Sequence, residues 1–209
     1  MSFGYIGDTS TSVKQQVKNK GILTTQESFD LERQGFLGGS LELIQEENYS
    51  TDVASVDFLS IKENIYDVHL FTFKNVTSAS NSNLRFQFYE SGVLETASVY
   101  DFARQFCNTS SSFSDTNSEN EDKLNSVNYA STSSTRVGNG YIYFYNLGIS
   151  SKYSSMSFHA MGGHTEDQFV FGGGYLPQAS TVDGIRFLDG SGTFTSFNFK
   201  LYGVKQWVT

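Results

Sequence analysis

From residue 40 onward, apolar and polar residues alternate in short runs with a period of two, the spacing that sends successive side chains to opposite faces of a β-strand. "SLELIQEE" alternates Leu41 and Leu43 with Glu42, and "VASVDFLS" continues with Val56 and Phe58. "NLRFQFYE" sets Leu84, Phe86 and Phe88 against Arg85 and Gln87. In "YDVHLFTFKNV" both sets are apolar, Val68 and Leu70 on one face and His69, Phe71 and Phe73 on the other, which predicts a central strand covered on both sides. "GYIYFYNLG", "YSSMSFHAMG", "QFVFGGGYL", "GIRFL" and "TFTSFNFKLYGVKQW" repeat the pattern, separated by clusters of Gly, Ser, Asn and Asp that favour turns. Roughly eight to ten short strands with no helical period between them predict an all-β fold, an antiparallel β-sandwich or jelly roll over residues 40–209.

The pattern breaks before residue 40, and residues 1–39 read as an N-terminal arm. "TTQESFDLERQGFLGG" holds a capping box, Thr24 with Glu27, then Phe29 and Leu31, and stops at Gly35, which predicts a short helix over residues 26–34. So short a helix is not stable alone in water and needs a packing partner. Gly38 and Gly39 form a hinge into the strand-rich domain. At the start, "MSFGYIG" sets Phe3, Tyr5 and Ile6 among Gly4 and Gly7. No basic stretch precedes these apolar residues and Asp8 follows them, so they are expected to stay on the mature protein rather than act as a secretory leader. No window offers the roughly 20 continuous apolar residues of a membrane-spanning helix, and no membrane insertion is expected.

Composition sharpens this picture. Aromatics are abundant, with 19 Phe and 12 Tyr, which suits pleated surfaces. The formal net charge of -8 repels a phosphate backbone, so nucleic acid is not an expected partner. A lone cysteine, Cys107, leaves no intrachain disulfide and no cysteine cage for zinc. The Ser-, Asn- and acid-rich stretch "SSSFSDTNSENEDKLNS", residues 110–126, reads as a long surface loop. Its Asp115, Asn117, Glu119 and Glu121 imitate the opening of a calcium loop. However, Asn120 stands where the tight turn needs Gly and Ser126 where a bidentate Glu is required, so no metal is expected.

Catalytic patterns are weak. His69, His159 and His164 stand in no metal-ligating motif, although His159 and His164 flank a strand end and are placed to meet across a turn. "FGGGYLP" lacks the following helix and Lys-Ser/Thr of a phosphate loop and reads as a bulged strand or tight turn. No pair of carboxylates stands out for glycoside hydrolysis. The chain is therefore expected to be non-enzymatic, with no catalytic residues and no cofactor. Tyr141, Tyr143 and Tyr145, if exposed, have the rings to stack on sugars, though aromatics on a strand more often pack within the sheet.

The stretch "VDGIRFLDGSGTFTSFNFKLYGVK" resembles the closing hairpin of a domain found in virion structural proteins of marine bacteriophages, especially T4-like cyanophages. "NGYIYFYNL" followed by "SSKYSSMSF", and "GGGYLPQASTVDGIRF", are similar to the middle of the same domain, and the "FGYIG" and "SLELI" segments resemble its start. The resemblance implies a virion, tail-fibre or capsid-associated protein, often a lectin-like sandwich, with no shared catalytic residues. A displayed structural protein of the particle is the leading expectation, and a host-surface glycan-binding module is the alternative. Other virion proteins are then the expected partners, held through Phe3, Gly4, Tyr5, Ile6 and Gly7, and the surplus of aromatics points to a homo-oligomer, most simply a trimer. If those residues form a docking peptide, converting Phe3, Tyr5 and Ile6 together to Ser leaves the melting temperature nearly unchanged and abolishes incorporation into particles. A variant that melts early yet still appears in purified particles would show instead that the segment folds back on its own domain.

Overall fold

The computed structural model describes residues 25–26, 40–110, 113–130, 132, 134–163 and 166–205. The docking peptide at residues 3–7, the Gly38-Gly39 hinge and His164 lie outside the described residues, as does the helix expected over 26–34 apart from Gln26. Leu41–Val204 forms one compact, all-β unit. Its strands are β1 (Leu41–Tyr49), β2 (Ser55–Phe58), β3 (Val68–Ser78), β4 (Ser82–Glu90), β5 (Val93–Leu94), β6 (Tyr100–Asn108), β7 (Phe113–Glu121), β8 (Leu124–Ala130), β9 (Gly138–Tyr145), β10 (Tyr153–Gly163), β11 (Asp167–Ala179), β12 (Val182–Asp189) and β13 (Phe194–Val204). Eight of them make one sheet in the order β1-β13-β3-β9-β10-β11-β6-β7, and β2-β12-β4 continue a second sheet that β5 and β8 extend from opposite ends of β4. Every pairing is antiparallel.

The period-two segments become strands where the alternation is cleanest. In β12, Ile185 and Phe187 point inward and are fully buried, while Arg186 between them points out. The β3 segment is internal, between β13 and β9, and Phe71, Phe73 and His69 fill the core. Its second apolar set, with Val68 half-buried and Leu70 buried, lies on the outward face of the sheet beside Tyr145 and Tyr143 rather than under another layer of strands among the described residues. Two expectations fail. Residues 110–126 are no loop over most of their length: Phe113–Glu121 pairs with β6 as an edge strand. Backbone bonding to β6 holds this segment, which needs no apolar alternation because both its side-chain faces are largely open to solvent. "FGGGYLP" is no bulge or turn at its glycines. Gly172, Gly173 and Gly174 pair in regular register with Phe158, Ser157 and Met156, and the register shifts only beyond Leu176, at Pro177, which has no N–H to give the ladder.

The two sheets meet through phenylalanines. Phe187 of β12 stacks on Phe71 of β3 with ring centroids 3.8 Å apart and planes within 10°. Phe58 and Phe86 present their edges to the same ring at 5.3 and 5.2 Å. Tyr100 adds a polar tie. Its buried hydroxyl accepts from the Phe88 N–H at 2.9 Å and donates to the Glu95 carbonyl at 3.1 Å, fixing β4 to the connection that leads into β6. At one end of the core sits His69, fully buried, whose Nε2–H donates to the Ile61 carbonyl at 2.7 Å while Nδ1 meets no partner. This is the neutral imidazole, and burial holds its pKa below the ordinary histidine value.

Two outcomes are expected from this core. Phe187→Ala removes the ring on which five others pack and costs about 3–5 kcal/mol in urea unfolding, with Phe187→Leu costing clearly less. For His69 the unfolded imidazole takes up its proton near pH 6.5 and the folded one only at lower pH, so the unfolded state binds more protons between the two. That contribution to stability is complete above about pH 6.5 and is lost as pH falls towards the folded value. His69→Gln, which cannot take a proton, lowers the melting temperature at pH 8 but flattens its fall as pH drops below about 6.5. An unchanged slope in the variant would show that another group governs the decline.

Candidate functional site

The outward faces of the two sheets differ in chemistry. On the five-stranded sheet the face is ionic. Arg186 donates from Nε and Nη2 to both carboxylate oxygens of Asp57 at 2.7 and 2.9 Å, and from Nη2 to the Tyr89 hydroxyl at 2.7 Å. This clamp joins β2, β12 and β4, and the guanidinium holds the Asp57 carboxyl below the usual carboxylate range. On the eight-stranded sheet the outward face is aromatic, and its register sorts the side chains into three rows across the strands.

The first row runs Thr72, Tyr141, His159, Phe171, Gln105, Asp115 across β3, β9, β10, β11, β6 and β7. The third runs Val68, Tyr145, Ser155, Tyr175, Asp101. Between them lies a row whose residues become small: Leu70, Tyr143, Ser157, Gly173, Ala103, Asn117. Large side chains on both flanks and small ones along the middle leave a depression. A cleft of about 480 Å³ opens there, lined by Gly173, Ala103, Asn117, Asp101, Glu119 and Tyr175 among others. That volume falls in the range of ligand sites.

The three glycines of "FGGGYLP" explain the floor. Gly172 and Gly174 face inward, where an added Cβ would come within 2.4 Å of the Ala103 carbonyl oxygen and 2.6 Å of Leu124 Cδ2, so their absence of side chain lets β6 and β8 close on β11. Gly173 faces outward and keeps the floor low; a Cβ there would also press on the Met156 carbonyl oxygen at 2.7 Å. Tyr175, 55% exposed, stands over this floor as a wall, and Phe171, 44% exposed, lies two residues before Gly173 in the first row. At the β7 side, Asn120 adopts a left-handed backbone (φ 56°), which Asn tolerates, and gives its N–H to Asp101 Oδ1 at 3.0 Å. This bond sets the Asp101 carboxylate on the cleft wall beside Glu119 and the Asn117 amide.

Tyr141, Tyr143 and Tyr145 form a line of rings along β9, with centroids 5.9 and 6.3 Å apart. The first and last lean onto β10, Tyr141 Oη lying 3.0 Å from His159 Nδ1 and Tyr145 Oη 3.2 Å from Ser157 Oγ. The His159 ring stacks in turn near Phe171, at 6.1 Å and 28°. Stacked rings with hydroxyl tips, carboxylates, amides and a glycine floor can bind a flat, hydroxyl-edged ring by its apolar face and its polar rim together. Among the described residues lining the cleft there are two carboxylates, Asp101 and Glu119, and no Lys or Arg.

The sequence pointed to Tyr141, Tyr143 and Tyr145, and the structure brings them together on an outward face rather than into the core. The sequence pattern gives no sign that Tyr175, Phe171, Asp101, Asn117 and Glu119 share a site, and relates Asn117 and Glu119 only to a calcium loop. Among the described residues no three His, Cys, Asp or Glu side chains gather as a metal site would require. No family model, curated protein or solved structure matches the chain.

Proposed function

We propose that this chain is a non-enzymatic glycan-binding module, built as a β-sandwich of the jelly-roll type and carried on a bacteriophage particle, where it meets sugars of the host surface. The observation that carries the glycan reading is the cleft over Gly173, with Tyr175 as its wall and Asp101, Asn117 and Glu119 as polar groups at its side. Sugars present an apolar ring face and a rim of hydroxyls, and these are the two chemistries that the cleft juxtaposes. The virion setting is supported by the motif resemblance of the "VDGIRFLDGSGTFTSFNFKLYGVK" stretch, which spans β12 and β13. Attachment through residues 3–7 to other virion proteins and assembly as a homo-oligomer, most simply a trimer, belong to the same proposal. Exposed Leu41, Leu43 and Tyr49 on the edge strand β1 supply apolar surface for such assembly.

The test is binding to an array of glycans followed by titration calorimetry. The protein binds at least one uncharged glycan, Tyr175→Ala weakens that binding at least tenfold, and the variant's melting temperature stays within a few degrees of the parent because the ring is largely exposed. Binding to no glycan, or binding that Tyr175→Ala leaves intact, would overturn the reading. New reducing ends appearing during the titration would overturn its non-enzymatic part.

A further inference from the structure

From the shape of the cleft we infer that it receives the end of an uncharged glycan chain, about three sugars deep, rather than an internal stretch of polymer; this rests on the glycan reading above. The middle row of the sheet face descends from Tyr143 to Ser157, Gly173 and Ala103 and leaves the sheet at Asn117 on the edge strand β7. From Ser157 to Asn117 the row crosses three inter-strand steps of about 4.8 Å, a trough of roughly 14 Å that is close to the length of three linked pyranose rings.

The two ends of this trough are unlike. At β9 it meets the line of tyrosine rings, and that line is not merely adjacent. Tyr145 reaches over to Ser157 and Tyr141 to His159, so the hydroxyls at both sides of Tyr143 are tied down onto β10 where the trough begins. Tyr143 stands between them in ring contact with both. The trough is therefore blind at the β9 side. At the other side β7 is the last strand of the sheet among the described residues, and Asn117 and Glu119 are exposed at the mouth. A polymer crossing the face from one side to the other would have to climb over the tyrosines and lose contact with the floor, whereas a chain end enters from β7 and stops against them.

Charge selects among chain ends. Asp101 and Glu119 line the cleft, Asp115 sits beside the mouth in the first row, and among the described residues lining the cleft no cation offsets them. Carboxylated or sulfated sugars are repelled, and the hydroxyls of uncharged sugars donate hydrogen bonds to the same carboxylates.

The experiment uses the full chain and uncharged ladders of one to six sugars, in β-1,4-linked glucose, β-1,4-linked N-acetylglucosamine and α-1,6-linked mannose, with a hexamer of each carrying a bulky fluorophore at one end or at both. Affinity rises to about the trisaccharide and then levels. One singly labelled hexamer binds and the doubly labelled one does not. Tyr143→Ala, with its folding checked by melting, opens the blind end, so that affinity continues to rise severalfold from trisaccharide to hexasaccharide and the doubly labelled hexamer binds. A parent protein whose affinity keeps rising to the hexamer, or that binds the doubly labelled chain, overturns the chain-end inference and leaves the glycan reading standing. If no member of any ladder binds, both fall. Should Tyr143→Ala fail to fold, the ladder and the labelled hexamers on the parent decide the matter.

Discussion

The stack of Phe187 on Phe71 is the constraint to which the rest of the molecule answers. The two rings belong to different sheets, and their near-parallel contact at 3.8 Å sets how closely the sheets approach. Phe58 and Phe86 then meet Phe187 edge-on, and Phe144 and Phe199 fill positions around the same rings. Interiors at this density transmit any change in one side chain to its neighbours. With the inner faces committed to this packing, period-two geometry leaves no freedom outside. A residue between two core residues is turned to the opposite face of its sheet, and the outward tyrosines of β9 are outward because Ile142 and Phe144 are inward.

That coupling gives the two outer faces different jobs. The face of the five-stranded sheet closes on itself through the Arg186 clamp, whose donors are taken up by Asp57 and Tyr89. The face of the eight-stranded sheet leaves its rings unspent: Phe171 and Tyr175 remain about half exposed beside a floor of glycine and alanine. Exposed aromatics beside a cleft are poor for stability and useful for recognition. On the proposed reading, a charged clamp on one side and an aromatic cleft on the other divide the labour of holding and binding between the two sheets.

How far this was legible in the sequence depends on how local each signal is. The strands β4, β9, β10 and β12 announce themselves through alternation, since Leu84, Phe86 and Phe88, or Ile185 and Phe187, need only their own neighbours to be read. The strand β7 did not, because "FSDTNSENE" holds one apolar residue and is kept extended by the backbone of β6, a partner that no local composition reveals. The site shows the same division. Tyr141, Tyr143 and Tyr145 stand on one strand and are visible together, while Asp101, Asn117 and Tyr175 meet only through the register of β6 with β7 and β11. The glycine triplet was conspicuous, but what it serves is a matter of space beside Ala103, Leu124 and Met156, which distance along the chain hides.

The strand at the mouth has a bearing on crowding. An edge strand offers unpaired backbone groups to any passing strand, and β7 carries Asp115, Glu119 and Glu121 along its length. Near neutral pH two such edges repel, so copies set side by side at high density do not zip together through β7. A protein displayed in many copies would otherwise seal its own entrances against its neighbours. In the display proposed above, the acidity that makes this segment resemble a calcium loop would act as a spacer between molecules, keeping each entrance open by keeping the next molecule away.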